Sequence, residues 1–278
     1  MVAEERGGRE AEVRARLASV SDPELDEPVT DLGFVTRIAV SPGGQVEIGF
    51  RLPTYWCAAN FAFMMAEDMR AAAAALPWVS AVRVVLDEHM YAETVNRAMA
   101  EGLSFREAFG PEADDDLAEI RSIFAVKSFQ RRLLSLIEHL RAEKIGTERL
   151  VALTLDQLSL LPLGSKGVWL RARYLEKRAI AGPAGGDDPA FITHEGTALT
   201  RTMLPSYLRD CRRVAINGEF NGALCRGLLV ARYGEESCAA AGMTEAGADS
   251  SGVIRPLPEP TLHDFLRAAA RATWSVAS

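Results

Sequence analysis

The sequence predicts an α+β fold: an N-terminal two-layer α-β-β-α-β domain with a small mixed sheet, followed by a mainly α-helical C-terminal domain. Three observations carry that expectation. Two β-rich runs flank the turn Ser41-Pro42-Gly43-Gly44-Gln45, the composition of a hairpin. A stretch free of Pro and Gly, Trp56 to Leu76, then leads through Pro77 to a third β-branched run, the order of a crossover between parallel strands. Beyond residue 87 the apolar positions recur at helical spacing.

Taken in order, Arg9 to Ser19 reads as a short amphipathic helix, with Ala11, Val13, Ala15, Leu17 and Ala18 among Arg and Glu. Pro23 and Pro28 bracket an acidic loop holding Asp22, Glu24, Asp26 and Glu27, with Asp31 just beyond it. Each proline fixes its own φ and pushes the preceding residue toward an extended conformation, so no helix runs through. Strands are expected over 33–40, 46–52 and 79–86, where apolar residues alternate or β-branched residues cluster. Helices are expected over 91–109, 114–144 (capped by Asp114 or Asp115, stopped by Gly146) and 147–161 (capped by Thr147).

Residues 164–180 suit a strand at Val168-Trp169-Leu170 or a helix at Arg171 to Lys177, and 182–189 is a loop. Helical patterns over 197–216 and 221–233 are separated by the breaker pair Asn217-Gly218. The domain organisation read this way is an α+β domain at 9–87, a helical client-binding domain at 88–234, a flexible segment at 235–260 and a docking helix at 261–275.

Composition narrows the classes of function. The 278 residues are 48% apolar and 25% charged with a formal charge of −7, which disfavours nucleic-acid and anionic-membrane partners because both select basic surfaces. The start is charged at once (Glu4, Glu5, Arg6), and the apolar run Leu150 to Leu163 is interrupted by Asp156, Gln157 and Pro162. A cytoplasmic protein without a membrane span is the expectation. The four cysteines, Cys57, Cys211, Cys225 and Cys238, form no CxxC pair, so each is weighed as a single thiol.

Cys57 heads the Ala-rich helix. There the helix N-terminus favours thiolate, the form that binds soft metals, with Thr54 as a candidate cap. Of the acids in and beside the loop, Asp22, Glu24, Asp26, Glu27 and Asp31, each is a cap or solvated charge or else a site group, and Asp31, at the strand entrance, is the one placed to face the thiol. A small buried hydrophobic role for Cys57 is the alternative. Cys211 and Cys225 with His194 make a second grouping, set against two separate buried thiols. A third possibility is a thiol enzyme with Cys57 as nucleophile and His89 as base.

The run Asp22-Pro23-Glu24, Val29-Thr30-Asp31-Leu32-Gly33-Phe34-Val35, a hairpin, Leu52-Pro53-Thr54 with Cys57, and Val79-Ser80-Ala81-Val82-Arg83-Val84 resembles the SufT/PaaD-like family of iron-sulfur cluster assembly factors over residues 9 to 87. The resemblance implies a reactive Cys57 that binds iron or an iron-sulfur cluster transiently, with Asp22, Glu24, Asp31 and Thr54 shaping its surroundings. The fusion to a helical extension resembles accessory proteins of bacterial di-iron monooxygenases of the propane type. That implies a non-catalytic maturation factor whose partner is a client metalloenzyme subunit. Since one thiolate cannot complete a tetrahedral site, a homodimer pairing two Cys57 is a further expected partner arrangement. A metal-free adaptor or chaperone is the competing reading.

Overall fold

In the computed structural model, which describes residues 2–110 and 117–234, the chain enters through α1 (Val2–Leu17). After the acidic loop, β1 (Val35–Val40) and β2 (Gln45–Phe50) form the antiparallel hairpin, and β3 (Ala81–Leu86) runs parallel to β2, giving the order β1-β2-β3. The hairpin turn is closed by the Ser41 hydroxyl, which accepts from the Gln45 N–H at 3.0 Å. At its tip Gly44 has φ 79, and a Cβ there would collide with the Trp78 carbonyl oxygen.

α2 (Ala59–Ala74) is the crossover helix between β2 and β3. Its inward face, Phe63, Met64, Met65 and Met69, is buried with Ile48 and Phe50 of β2, Leu86 of β3, and Val13 and Leu17 of α1. Arg37, Glu47 and Arg83 pair across the three strands on the partly exposed side of the sheet. The expected order and mixed pairing are therefore the observed ones.

The region beyond β3 is helical, with boundaries that differ from the expected ones. The single helix expected over 91–109 is two, α3 (Ala92–Glu101) and α4 (Phe105–Phe109). Gly102 ends α3 in the left-handed region (φ 71), and a Ser104/Glu107 capping box starts α4. α5 (Leu117–Ala142) is closed off two residues on by Lys144, whose φ of 63 lets Ile145 N–H reach the Leu140 carbonyl at 3.0 Å. Gly146 is therefore no stop. It is the N-cap of α6 (Thr147–Ala152), displacing Thr147 from that role.

The 147–161 helix is likewise divided, because Thr154 and Gln157 form a capping box that starts α7 (Leu155–Leu160). The ambiguous stretch is α8 (Ser165–Arg178), wholly helical. The largest difference is α9 (Leu204–Tyr233), 30 residues of unbroken helix through Asn217-Gly218. Gly218 is a close-approach position there: a Cβ on it would collide with the Arg131 guanidinium of α5. Residues 197–199 lie outside the helix, joined to 191–193 in a short antiparallel contact. The expected flexible segment, the terminal helix and the Asp114/Asp115 caps fall outside the described residues.

Two apolar cores result. The first holds the sheet, α1 and α2, and takes in Val95, Ala98 and Met99 of α3 together with Leu229 of α9, so it extends past residue 87. The second is built from Phe129, Leu133, Leu136, Ile137 and Leu140 of α5, Tyr174 of α8, Phe191, and Leu204, Leu208 and Cys211 of α9. α9 thus contributes one end to each core.

Candidate cysteine site

The chain between β2 and α2 has no regular structure over 51–58, and Cys57 sits at its end. The N-cap of α2 is Ala58, so Cys57 precedes the helix instead of occupying its first turn. Thr54 is not the cap either. Its hydroxyl lies 3.0 Å from the Cys57 sulfur, a direct hydrogen bond to the thiol. Cys57 is half-buried, while its neighbours Tyr55 and Trp56 are exposed, Trp56 to 71%.

His89, buried in the segment after β3, fixes this loop from behind. Its Nδ1 accepts from the Tyr91 N–H at 3.1 Å, which leaves Nε2 to donate to the Cys57 carbonyl at 2.9 Å. Burial holds the imidazole below its usual pKa, with the Cys57 carbonyl opposing that and Arg232 adding to it. Both ring nitrogens are thus occupied by backbone groups. The general-base role considered for His89 is corrected accordingly: it positions the backbone of Cys57.

The acidic loop closes on itself through a Ser21–Pro28 bridge. Asp22 Oδ1 accepts from the N–H groups of Glu24 (2.9 Å) and Leu25 (2.8 Å), and burial pushes its carboxyl up to about 6 against those bonds. Asp31, by contrast, is exposed and accepts from the hydroxyl of Thr30 at 3.1 Å. The other acids turn toward the helical part. Asp26 forms a two-pronged pair with Arg132, Glu24 accepts from Asn221 at 2.7 Å, and Glu27 pairs with Arg226 at 2.8 Å. The loop is therefore the seat on which α5 and α9 are mounted.

Asp22 gives a pH-dependent expectation. An acid whose folded pKa lies above its unfolded value of 3.8 binds its proton more tightly when folded, so its favourable contribution is full below that value. It is lost as pH rises from there through about 6, a change on the order of 2–3 kcal/mol. Asp22→Asn keeps an acceptor for the two N–H groups and removes the charge. It should raise the urea midpoint at pH 7.5 and leave it nearly unchanged at pH 4. An equal effect at both values would remove the carboxylate from the explanation.

The second cysteine grouping is distributed over the two cores. Cys211 is buried in the second core, its thiol pushed up to about 12 by burial, and His194 bonds and stacks on Tyr207. Cys225 packs against the first core, as Cys57 does. Fourteen positions of one continuous helix separate Cys211 from Cys225, roughly 21 Å at about 1.5 Å per residue, so the structure does not bring them together. Among the described residues no group of three or more His, Cys, Asp or Glu is arranged to hold a metal ion.

The fold and site define a small α+β domain carrying a hydrogen-bonded thiol on a pre-helix loop, clasped by a helical extension. Residues 10–84 match the family model described as an iron-sulfur cluster assembly protein. Iron-sulfur cluster carrier proteins are similar over the same region: that of Mycobacterium leprae is 39% identical over 75 residues, 27% of this chain and 19% of the relative. That of Mycobacterium tuberculosis is 38% identical over 81 residues, 29% of this chain and 21% of the relative. The match thus spans about a fifth of the length of these relatives. A crystal structure of a domain of unknown function from Bacillus anthracis aligns over 37% of this chain and 99% of its own at 21% identity, with a TM-score of 0.29. No helix among the described residues is long and apolar enough to cross a membrane.

Proposed function

We propose that this chain is a non-catalytic maturation factor that carries iron or an iron-sulfur cluster on Cys57 and passes it to a client metalloenzyme in the cytoplasm. The observation that carries the reading is the half-buried Cys57 thiol, held 3.0 Å from the Thr54 hydroxyl inside the segment that matches iron-sulfur assembly proteins. The carrier relatives support cargo that is bound and released. A thiolate is a competent ligand for iron, and a site short of four ligands lets the metal leave.

The helices after residue 87 would grip the client, for which a subunit of a propane-type di-iron monooxygenase is our candidate. Ile216, Phe220, Leu224 and Leu228 form an exposed apolar row along α9, and Tyr55 and Trp56 stand exposed beside the thiol. Such surface suits a protein partner. A metal-free adaptor would use the same row, and a homodimer would bring two Cys57 thiols together.

The test is the iron content of the oxygenase subunit purified after expression with and without this chain. Carriage predicts a several-fold lower iron occupancy in its absence. Full occupancy without it overturns the proposal.

A further inference from the structure

We propose that Cys225, on the helical extension, is the second sulfur of the Cys57 site, and that the two thiols hold ferrous iron together as a two-thiolate clamp. This rests on the cargo reading of Cys57 given above. The placement follows from how α9 lies on the first core. Its inward positions there are Asn221, Gly222, Cys225, Arg226, Leu229, Val230 and Tyr233, the i, i+1, i+4, i+5, i+8 pattern of one helix face. Cys225 is central in that face, and both it and Cys57 pack against the same core.

Contacts on either side of Cys225 fix this face against the thiol loop. One turn before it, Asn221 donates to Glu24 at 2.7 Å, and next to it Arg226 pairs with Glu27. Two turns after it, Arg232 donates to the carbonyls of Leu52 (3.5 Å) and Glu88 (2.9 Å), and the Arg51 guanidinium lies 3.8 Å over the Tyr233 ring. Arg51 and Leu52 open the loop that ends at Cys57, and Glu88 adjoins the His89 that holds the Cys57 carbonyl. Cys225 therefore lies between the acidic loop on one side and, on the other, the start of the thiol loop and the segment after β3 that holds the Cys57 carbonyl.

Neither sulfur is in a disulfide. Each thiol releases its proton to solvent as it ligates, so one ferrous ion displaces two protons and forms two iron–sulfur bonds with no change of oxidation state. Two protein ligands leave two positions of a tetrahedral ion open to sulfide, to another thiol or to the recipient. One ligand comes from the assembly-like domain and the other from the extension, so movement of α9 on binding a client would loosen the iron.

Cobalt(II), titrated anaerobically into the full chain, is the probe, read by its sulfur-to-metal absorption. Wild type and Cys211→Ser should bind alike. Cys57→Ser and Cys225→Ser should each lose at least about tenfold in affinity, as expected when a ligand is removed. Cys225→Ser matching wild type while Cys57→Ser is impaired overturns the clamp and leaves the cargo reading standing. If both match wild type, the cargo reading falls as well. Cys225→Ala and far-ultraviolet circular dichroism separate ligand loss from misfolding. Alkylation mapping of the wild-type protein needs no variant: cobalt should protect Cys57 and Cys225 together, and protection of Cys57 alone overturns the clamp.

Discussion

Arg132→Ala should destabilise the protein by roughly 3–5 kcal/mol, the usual consequence of leaving one partner of a buried ion pair behind. Arg132 Nε and Nη2 each donate to Asp26 at 2.7 Å, and both side chains are nearly sealed from solvent, at 6% and 7%. Its Nη1 also donates to the Arg173 carbonyl at 2.9 Å, and Arg173 in turn donates to the Asp26 carbonyl at 2.6 Å. Burial alone would raise the Asp26 pKa. The bonds and charge of Arg132, with Arg173 and Lys177, outweigh it and hold the carboxyl below its usual value.

That contribution is therefore present above the unfolded pKa and lost as pH falls through the folded one. Urea denaturation at pH 7 measures the loss. Arg132→Met combined with Asp26→Asn, which removes both charges, should be less destabilised than Arg132→Ala alone, because the penalty comes chiefly from the stranded carboxylate. A loss under about 1 kcal/mol would place this pair with ordinary exposed ones. The half-exposed Glu27–Arg226 contact, at 43% and 40%, already belongs to that weaker class.

The parts of this fold legible in the sequence are those written in short-range pattern. Alternation in Val46 to Leu52 and the Pro-Gly-Gly turn locate β1 and β2, and the Pro-free run to Leu76 locates the crossover helix. What the pattern hides is long-range. Gly218 reads as a breaker because nothing nearby reveals that Arg131, 87 positions earlier, lies against it. That Asp26, Glu24 and Glu27 bond to Arg132, Asn221 and Arg226 is hidden in the same way, because those partners are more than 100 positions away.

One signal was available. Arg132 stands between Phe129 and Leu136 on the apolar stripe of α5, where a solvated arginine is out of place. Cys57 and Thr54 are legible as a pair three residues apart, yet Ala58 takes the N-cap and turns Thr54 toward the sulfur. Cys225 reads as a companion of Cys211 only while α9 is divided in two. Once the helix is continuous, Cys225 belongs to the first core and Cys211 to the second.

Cys57→Ser should abolish iron delivery to the client while leaving the fold within about 0.5 kcal/mol of wild type, as is usual where neither core packing nor a buried network is broken. Serine fills nearly the same space and can still meet the Thr54 hydroxyl, and His89 holds the backbone carbonyl at position 57, which the change does not touch. What is lost is the soft ligand, since a serine hydroxyl does not ionise near neutral pH and binds iron far less well than thiolate. Three readings then separate on one variant. A carrier loses client iron loading but still binds the client through α9 and Trp56. An adaptor keeps both loading and binding, and that result would retire Cys57 as a ligand. A thiol enzyme would need a base within reach of the sulfur. With Nδ1 accepting from Tyr91 and Nε2 donating to the Cys57 carbonyl, His89 has no lone pair left to take its proton, so thiol-dependent turnover with a histidine-like pH profile is the outcome this geometry forbids.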